Sequence, residues 1–170
     1  MKRLFLFLFL AITIVSCASS KNTAATTEAD IENMLNKQRY TFVARTVAPT
    51  EDSRYNPRLM FPNGSNLYQL SSGYDLKVTR DSVSAYLPFF GRAYTAPLDP
   101  SKGGIKFTST NFDYKTSMRK KNTEITIIPK DVQDIRSILI SVTPGGYAYV
   151  QVLSLNRTPI SFNGVIEPAP

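Results

Sequence analysis

The chain has 170 residues, no histidine and a single cysteine, and its 20 basic and 13 acidic side chains give a net charge of +7 at pH 7. The lack of histidine excludes the commonest general base, the usual serine triad and most zinc sites. One cysteine cannot form a disulfide within the chain, so the fold must depend on its hydrophobic core. We therefore expect no cofactor and no metal, and a non-enzymatic role is favoured.

Residues 1–16 have the three parts of an export signal. Lys2 and Arg3 are positively charged, an apolar run extends from Leu4 to Val15, and small residues lead into Cys17. The run is about a dozen residues, whereas a membrane-spanning helix needs ~20, so it predicts a cleaved segment. Its removal leaves 18 basic and 13 acidic residues, a net charge of +5.

The sequence Ile14-Val15-Ser16-Cys17 resembles the lipobox of bacterial lipoproteins, in which the cysteine becomes the lipidated first residue. The resemblance implies that Cys17 carries acyl chains such as palmitate, and several chains at ~0.8 kcal/mol per buried CH₂ would anchor the protein stably. The alternative is an ordinary secreted protein with an incidental cysteine. Surface-exposed lipoproteins tend to have acidic residues just after the cysteine. None precedes Glu28, so we expect the cell envelope, on the periplasmic face of the outer membrane.

These features divide the chain into three segments. They are a signal peptide at 1–16, the lipidated cysteine with a flexible tether at 17–27, and a single β-rich domain at 28–170. Small polar residues between 18 and 26 are typical of a tether. The mature chain, about 150 residues, is long enough for one core that buries ~70% of its unfolded surface. Its basic residues are scattered, so no nucleic-acid partner is expected.

One helix and many strands are predicted. Thr27 and Asp30 form a capping-box pattern before an apolar helical period, which predicts a helix from about Glu28 to Arg39. The period then changes to two. The clearest strand runs from Phe112 to Arg119, with Phe112, Tyr114, Thr116 and Met118 expected on the buried face. Other strands are predicted at 41–47, 74–79, 83–87, 105–108, 124–128, 138–142, 147–155 and 160–166.

Short turns rich in glycine, asparagine and proline separate these strands and imply antiparallel pairing. The fold class is mainly β (α+β): an antiparallel sheet, sandwich or partly closed barrel with one N-terminal helix. Residues 49–73 fit neither period, so we expect a long loop there with one short strand at Leu67–Leu70.

The densest motif is Tyr86-Leu87-Pro88-Phe89-Phe90-Gly91-Arg92-Ala93-Tyr94. It is preceded by Asp81 and followed by Gly103-Gly104-Ile105-Lys106-Phe107 and, near the end, by Ile160-Ser161-Phe162-Asn163-Gly164. Together these segments resemble an uncharacterised family of Bacteroidetes lipoproteins, catalogued as domain of unknown function 4251. The resemblance implies one domain and an envelope location, and it supplies no catalytic residues.

The motif also predicts a corner. Pro88 and Gly91 would end a strand and turn Phe89, Phe90 and Tyr94 inward. Arg92 would then need an internal partner, Asp81 or another carboxylate, because an unpaired buried guanidinium is costly. The alternative is a binding site in which Arg92 grips a carboxylate or phosphate while Tyr86 and Tyr94 line the wall.

A second candidate is Arg119-Lys120-Lys121 at a hairpin tip. The favoured interpretation is a solvated turn whose charges block edge pairing. The alternative is contact with anionic lipid headgroups.

The resulting hypothesis is a membrane-anchored envelope lipoprotein that acts as a non-enzymatic binding or interaction module. Its expected partners are the membrane, through the lipid anchor, and an unknown envelope protein or small ligand. Two alternatives stay open: an enzyme that acts on glycans with two carboxylates, and a carrier of a hydrophobic ligand.

Overall fold

The computed structural model describes residues 27–49, 68–94 and 103–169. This part contains one helix, α1 (Glu28–Asn36), and nine strands that form one antiparallel sheet in the order β4-β3-β2-β1-β9-β8-β7-β6-β5. The strands are β1 (Tyr40–Pro49), β2 (Asp75–Val78), β3 (Val83–Leu87), β4 (Ile105–Ser109), β5 (Phe112–Arg119), β6 (Asn122–Pro129), β7 (Ile135–Val142), β8 (Tyr147–Ser154) and β9 (Ile160–Pro168). The predicted antiparallel fold with one N-terminal helix is confirmed.

Helix α1 begins at the predicted capping box. The Thr27 hydroxyl accepts a hydrogen bond from the Asp30 amide at 3.2 Å, and the Asp30 carboxylate accepts one from the Thr27 amide at 3.0 Å. The helix ends three residues earlier than predicted, because Gln38 has a φ of 51° and so cannot continue it. Ile31 and Leu35 are its buried residues.

The sheet closes almost completely on itself through one bent strand. Its two edges, β4 and β5, run in the same direction, since nine alternating strands begin and end alike, and only Thr110 and Asn111 separate them. β4 and β5 are therefore the two halves of one continuous bent segment, from Ile105 to Arg119. This segment pairs with β3 before the bend and with β6 after it. Of the three predicted architectures, the structure has the nearly closed barrel.

A contact between two tyrosines crosses the interior of this barrel. The hydroxyl oxygens of Tyr40, on the inner strand β1, and Tyr114, on the edge strand β5, lie 3.3 Å apart. Burial raises the pKa of Tyr40 well above its ordinary value, and burial also raises that of Tyr114. Both hydroxyls therefore stay neutral and hydrogen-bonded at ordinary pH.

The carboxylate of Asp131, in the β6–β7 connection, holds the bend in place. It accepts hydrogen bonds from the Ser109 hydroxyl, from the Thr110 amide at 2.8 Å and from the Asn111 amide at 3.1 Å. The Ser109 bond and then the backbone bonds lower the pKa of Asp131 to about 2. Lys130 adds a backbone bond to the Asn111 carbonyl at 2.8 Å.

The interior is filled by the alternate side chains of the strands. Ten of these have no accessible surface at all: Tyr40, Phe42, Leu76, Val78, Val83, Ile127, Ile138, Ile140, Val150 and Phe162. Each fully buried aliphatic or phenylalanine side chain stabilises the fold by roughly 1.5 to 3 kcal/mol. Gly164 lets β9 approach β1, because a Cβ at that position would lie 2.0 Å from the Val43 carbonyl oxygen.

The barrel has two different ends. We call the first the helix end. It holds α1, the start of β1, the Thr79–Ser82 turn, the β5–β6 hairpin and the β7–β8 turn. The strand register brings these together through the pairs Tyr40↔Pro168, Tyr147↔Val165, Ala148↔Val142 and Val142↔Thr123. We call the other the loop end. There β1 and β3 end, β2 and β4 begin, and the connection 155–159 lies.

Two sequence predictions need correction. The buried face predicted for β5 stops at Tyr114, and Thr116 and Met118 are exposed because β5 is an edge strand there, with β6 on one side only among the described strands. The short strand predicted at Leu67–Leu70 is a single bridge between Gln69 and Thr46, and Leu67 lies outside the described residues.

The first prediction concerns Asp131. We expect Asp131→Asn to lower the thermal midpoint at pH 7, because an amide cannot accept all the bonds that hold the bend. Folding lowers the pKa of Asp131 from 3.8 to about 2, so its contribution is complete above pH 3.8 and is lost as the pH falls towards 2. Thermal denaturation at pH 7 and near pH 2 measures the contribution of Asp131 to stability, and hydrogen exchange of the Thr110 and Asn111 amides measures the opening of the bend.

The matched control is Glu32→Gln, which changes an exposed carboxylate on α1, away from the bend. We expect it to alter neither the midpoint nor its pH dependence. An Asp131→Asn protein that stays as stable as the original at pH 7 would contradict the proposed role of this carboxylate.

Candidate functional site

The motif that follows β3 forms a corner at the loop end, where residues 92–94 lie beside residues 156–158. Ala93 and Arg157 form an antiparallel bridge, flanked by bonds from the Tyr94 amide to the Asn156 carbonyl at 2.8 Å and from the Thr158 amide to the Arg92 carbonyl at 2.9 Å. We call residues 88–94 with 155–158 the corner. Gly91 belongs to it because a Cβ there would lie 2.6 Å from the Thr158 hydroxyl.

The predicted ion pair between Arg92 and Asp81 is wrong. Both side chains are exposed, and they lie on opposite sides of β3, Asp81 at the helix end and Arg92 at the loop end. Only the Arg92 backbone is held, its amide donating to the Thr158 hydroxyl at 3.1 Å. Within the described residues, the Arg92 side chain makes no hydrogen bond or ion pair, so its guanidinium is available to a ligand.

Arg157 has the internal role that the sequence suggested for Arg92. Its guanidinium donates to the carbonyl oxygens of Gly103 at 3.1 Å and Gly104 at 3.0 Å, and it lies 5.1 Å from the centre of the Phe89 ring. This cation therefore ties the β8–β9 connection to the start of β4 and covers Phe89, which is partly buried against the core. No sequence signal distinguished the two arginines, because Arg157 lies far from the motif along the chain.

Three large apolar side chains stand exposed at the corner. Phe90 is 52% exposed, Tyr94 68% and Leu155 59%. The prediction that Phe90 and Tyr94 turn inward is therefore wrong, and of the three aromatic residues only Phe89 packs on the core. Exposed apolar groups around a free guanidinium suit a ligand with an apolar part and an anionic group.

Tyr86 lies on the outer face of the barrel, apart from this arrangement. Its ring stacks on Tyr74 with centroids 5.6 Å apart and planes at 13°, and the Lys106 ammonium lies 5.0 Å from its centre. Asp75, its strand partner on β2, pairs with Lys77 at 3.5 Å. The structure thus places Arg92 and Tyr94 together, and leaves Asp81 and Tyr86 elsewhere.

The other predicted residues fall in two places. Arg119, Lys120 and Lys121 form the exposed tip of the β5–β6 hairpin at the helix end. Cys17 lies outside the described residues. In the described part of the chain, no helix is long and apolar enough to cross a membrane.

The chain matches the model of a family described as a domain of unknown function (DUF4251) over residues 22–166. The chain belongs to this family. The match covers α1 and all nine strands of the DUF4251 domain apart from the end of β9, so the barrel and the corner are both within it. No curated protein and no solved structure matches the chain.

Two carboxylates of this DUF4251 domain have structural roles. Asp131 binds the bend and Asp30 caps α1, and hydrogen bonds lower the pKa of both. An acid catalyst needs the opposite shift, towards a raised pKa. Among residues 27–49, 68–94 and 103–169, no group of three Asp, Glu, His or Cys side chains could hold a metal ion.

The second prediction concerns Arg157. Replacing it in Arg157→Lys keeps the charge but loses the paired donors to Gly103 and Gly104, so we expect a loss of about 1 to 2 kcal/mol in the free energy of unfolding. Urea denaturation measures it. Arg92→Lys is the matched control and should leave stability unchanged, because that side chain is exposed. Equal effects of the two substitutions would contradict the assignment of the internal role to Arg157.

Proposed function

We propose that the protein is an envelope lipoprotein, lipidated on Cys17, whose loop end binds a partner through the corner. The ligand class is an anionic group, a carboxylate or a phosphate, next to an apolar surface. The observation that carries this proposal is the exposed guanidinium of Arg92, which has no partner among the residues that the structure describes, on a backbone held beside the exposed Phe90 and Tyr94. An arginine needed only for stability would have its donors satisfied within the fold, as Arg157 does.

The two-ended shape supports the proposal. Thr27, the first described residue, lies at the helix end, since α1 follows it and packs there. Ile31 of α1 lies against Gly146 in the β7–β8 turn, where a Cβ would be 2.8 Å from the Ile31 side chain. A lipid anchor on Cys17 would hold the helix end near the membrane. The corner, at the opposite end, would then face away from the bilayer and be accessible to envelope components.

The two alternatives receive less support. A hydrophobic-ligand carrier needs a cavity, whereas ten large side chains of the described interior have no accessible surface and so line no open cavity. A glycan-acting enzyme needs two facing carboxylates, and Asp131 already binds three groups of the bend. Both remain outcomes that activity or binding measurements on the purified protein would reveal.

The third prediction tests the anchor. Cells that express the full chain and are fed an alkyne analogue of palmitate should incorporate the label into this protein, and Cys17→Ser should abolish it. The labelled protein should sediment with membranes, and the Cys17→Ser protein should not be processed at the same position. Labelling that survives Cys17→Ser, or no labelling of the original chain, would contradict lipidation at this residue.

The fourth prediction tests the corner. A photoreactive phenylalanine analogue at position 94 should crosslink to a partner in cells, and Arg92→Gln should reduce the adduct by about tenfold, since a charge-assisted contact contributes ~1.5 to 3 kcal/mol. The matched position is Tyr147, which is equally exposed at 68% but lies at the helix end. The same adducts from positions 94 and 147, or an adduct that is unaffected by Arg92→Gln, would contradict the proposal.

A further inference from the structure

The second half of β5 and the β5–β6 turn form an exposed edge of the sheet, next to β6, that ends at the helix end of the barrel. Five consecutive residues from Lys115 to Arg119 are exposed, and because successive side chains of a strand point to opposite faces, both faces of β5 meet solvent there. In the described chain, this part of β5 pairs only with β6, through Lys115↔Thr126 to Arg119↔Asn122. We call residues 115–121 the basic ribbon.

The charge of the basic ribbon has one sign. It contains Lys115, Arg119, Lys120 and Lys121 and no acidic residue, and Met118 stands between them with 75% of its surface exposed. The nearest acids, Glu124 opposite Ser117 on β6 and Asp113 earlier on β5, already have partners. Glu124 accepts a hydrogen bond from the Ser141 hydroxyl at 2.8 Å, and Asp113 pairs with Lys130 at 2.6 Å. Four cations with an exposed methionine suit an anionic surface that also accepts an apolar side chain.

The position of the basic ribbon relative to the tether identifies that surface. Thr27 and the ribbon lie at the same end of the barrel, and nine residues, or ten Cα–Cα steps, connect Cys17 to Thr27. A chain of that length spans at most ~35 Å, and a flexible one has an average span of ~17 Å. An anchor at Cys17 therefore keeps the ribbon within reach of the same bilayer.

We propose that the basic ribbon docks on the anionic phospholipid headgroups of the membrane that holds the protein. The domain then stands on its helix end, with the corner directed away from the bilayer. This inference rests on the proposed lipidation of Cys17 for its orientation. The carboxylates of Glu28, Asp30 and Glu32 share this end but belong to α1, whereas no acid interrupts the ribbon.

The test uses residues 17–170 with Cys17→Ser, which contain the whole described core and carry no lipid. Binding is measured by co-sedimentation with phosphatidylcholine vesicles containing roughly one third phosphatidylglycerol, and with phosphatidylcholine vesicles alone. We expect binding to the anionic vesicles only. The triple variant Arg119→Gln, Lys120→Asn, Lys121→Gln should weaken it about 100-fold at low salt, at about fivefold per cation. Asparagine at position 120 tolerates the positive φ of 58° found there.

The matched control removes three exposed cations from the strands of the barrel wall, in Arg45→Gln, Lys77→Gln, Arg136→Gln. It should retain most of the binding although it loses the same charge. An equal loss in both triple variants would overturn the proposal in favour of general attraction by net charge. No binding to either vesicle would also overturn it, and an unchanged thermal midpoint in each variant shows that the fold is intact.

A second measurement reads the orientation. Cys17 is the chain's only cysteine, so Cys17→Ser allows one fluorophore to be attached at Met118→Cys or, at the loop end, at Leu155→Cys. A polarity-sensitive fluorophore at position 118 should shift to the blue on anionic vesicles, and one at position 155 should not. Equal shifts would overturn the proposed orientation. Because these proteins carry no lipid, failure here leaves the palmitate labelling result intact, and failure of that labelling leaves this one intact.

Discussion

The bend at Thr110 and Asn111 is the constraint on which the rest of the barrel depends. Before it the strand belongs to one edge of the sheet and after it to the other, so an open sheet becomes nearly closed without any further element. The carboxylate of Asp131 holds this bend by binding the amides that the change of partner leaves free. The interior contact of Tyr40 with Tyr114 depends on the same closure, since it joins an inner strand of the sheet to its edge.

Closure also explains why the two ends of the barrel differ. After Tyr114 the bent strand is an exposed edge that pairs only with β6 among the described strands, and it continues in this way to the β5–β6 turn. At the loop end the corner is fixed by a short bridge between Ala93 and Arg157. The barrel thus has a charged strand edge at the helix end, where the described chain begins, and a surface built from loops at the loop end.

Local signals were readable from the sequence, and long-range ones were not. The capping box of Thr27 and Asp30 follows from spacing alone, since its hydrogen bonds join residues three apart, and the strand at Val83–Leu87 follows from the alternation of its own side chains. The alternation in β5 misled at Thr116 and Met118, because the period identifies a strand but does not say how far its neighbours extend. The choice between Arg92 and Arg157 was equally hidden. It depends on which guanidinium reaches the Gly103 and Gly104 carbonyls, and those are 53 or more residues away in sequence from Arg157.

Exposure alone does not distinguish Arg92 from an ordinary surface arginine, because a solvated guanidinium costs little. The difference lies in its backbone, which is fixed on both sides: the amide donates to the Thr158 hydroxyl and the carbonyl accepts from the Thr158 amide. Gly91 permits this approach, since any larger residue would meet the same hydroxyl. A side chain presented from a fixed backbone loses less entropy on binding than one on a free loop. The corner therefore holds its cation ready for a ligand, while Arg157, bonded to two carbonyls, provides the rigidity beneath it.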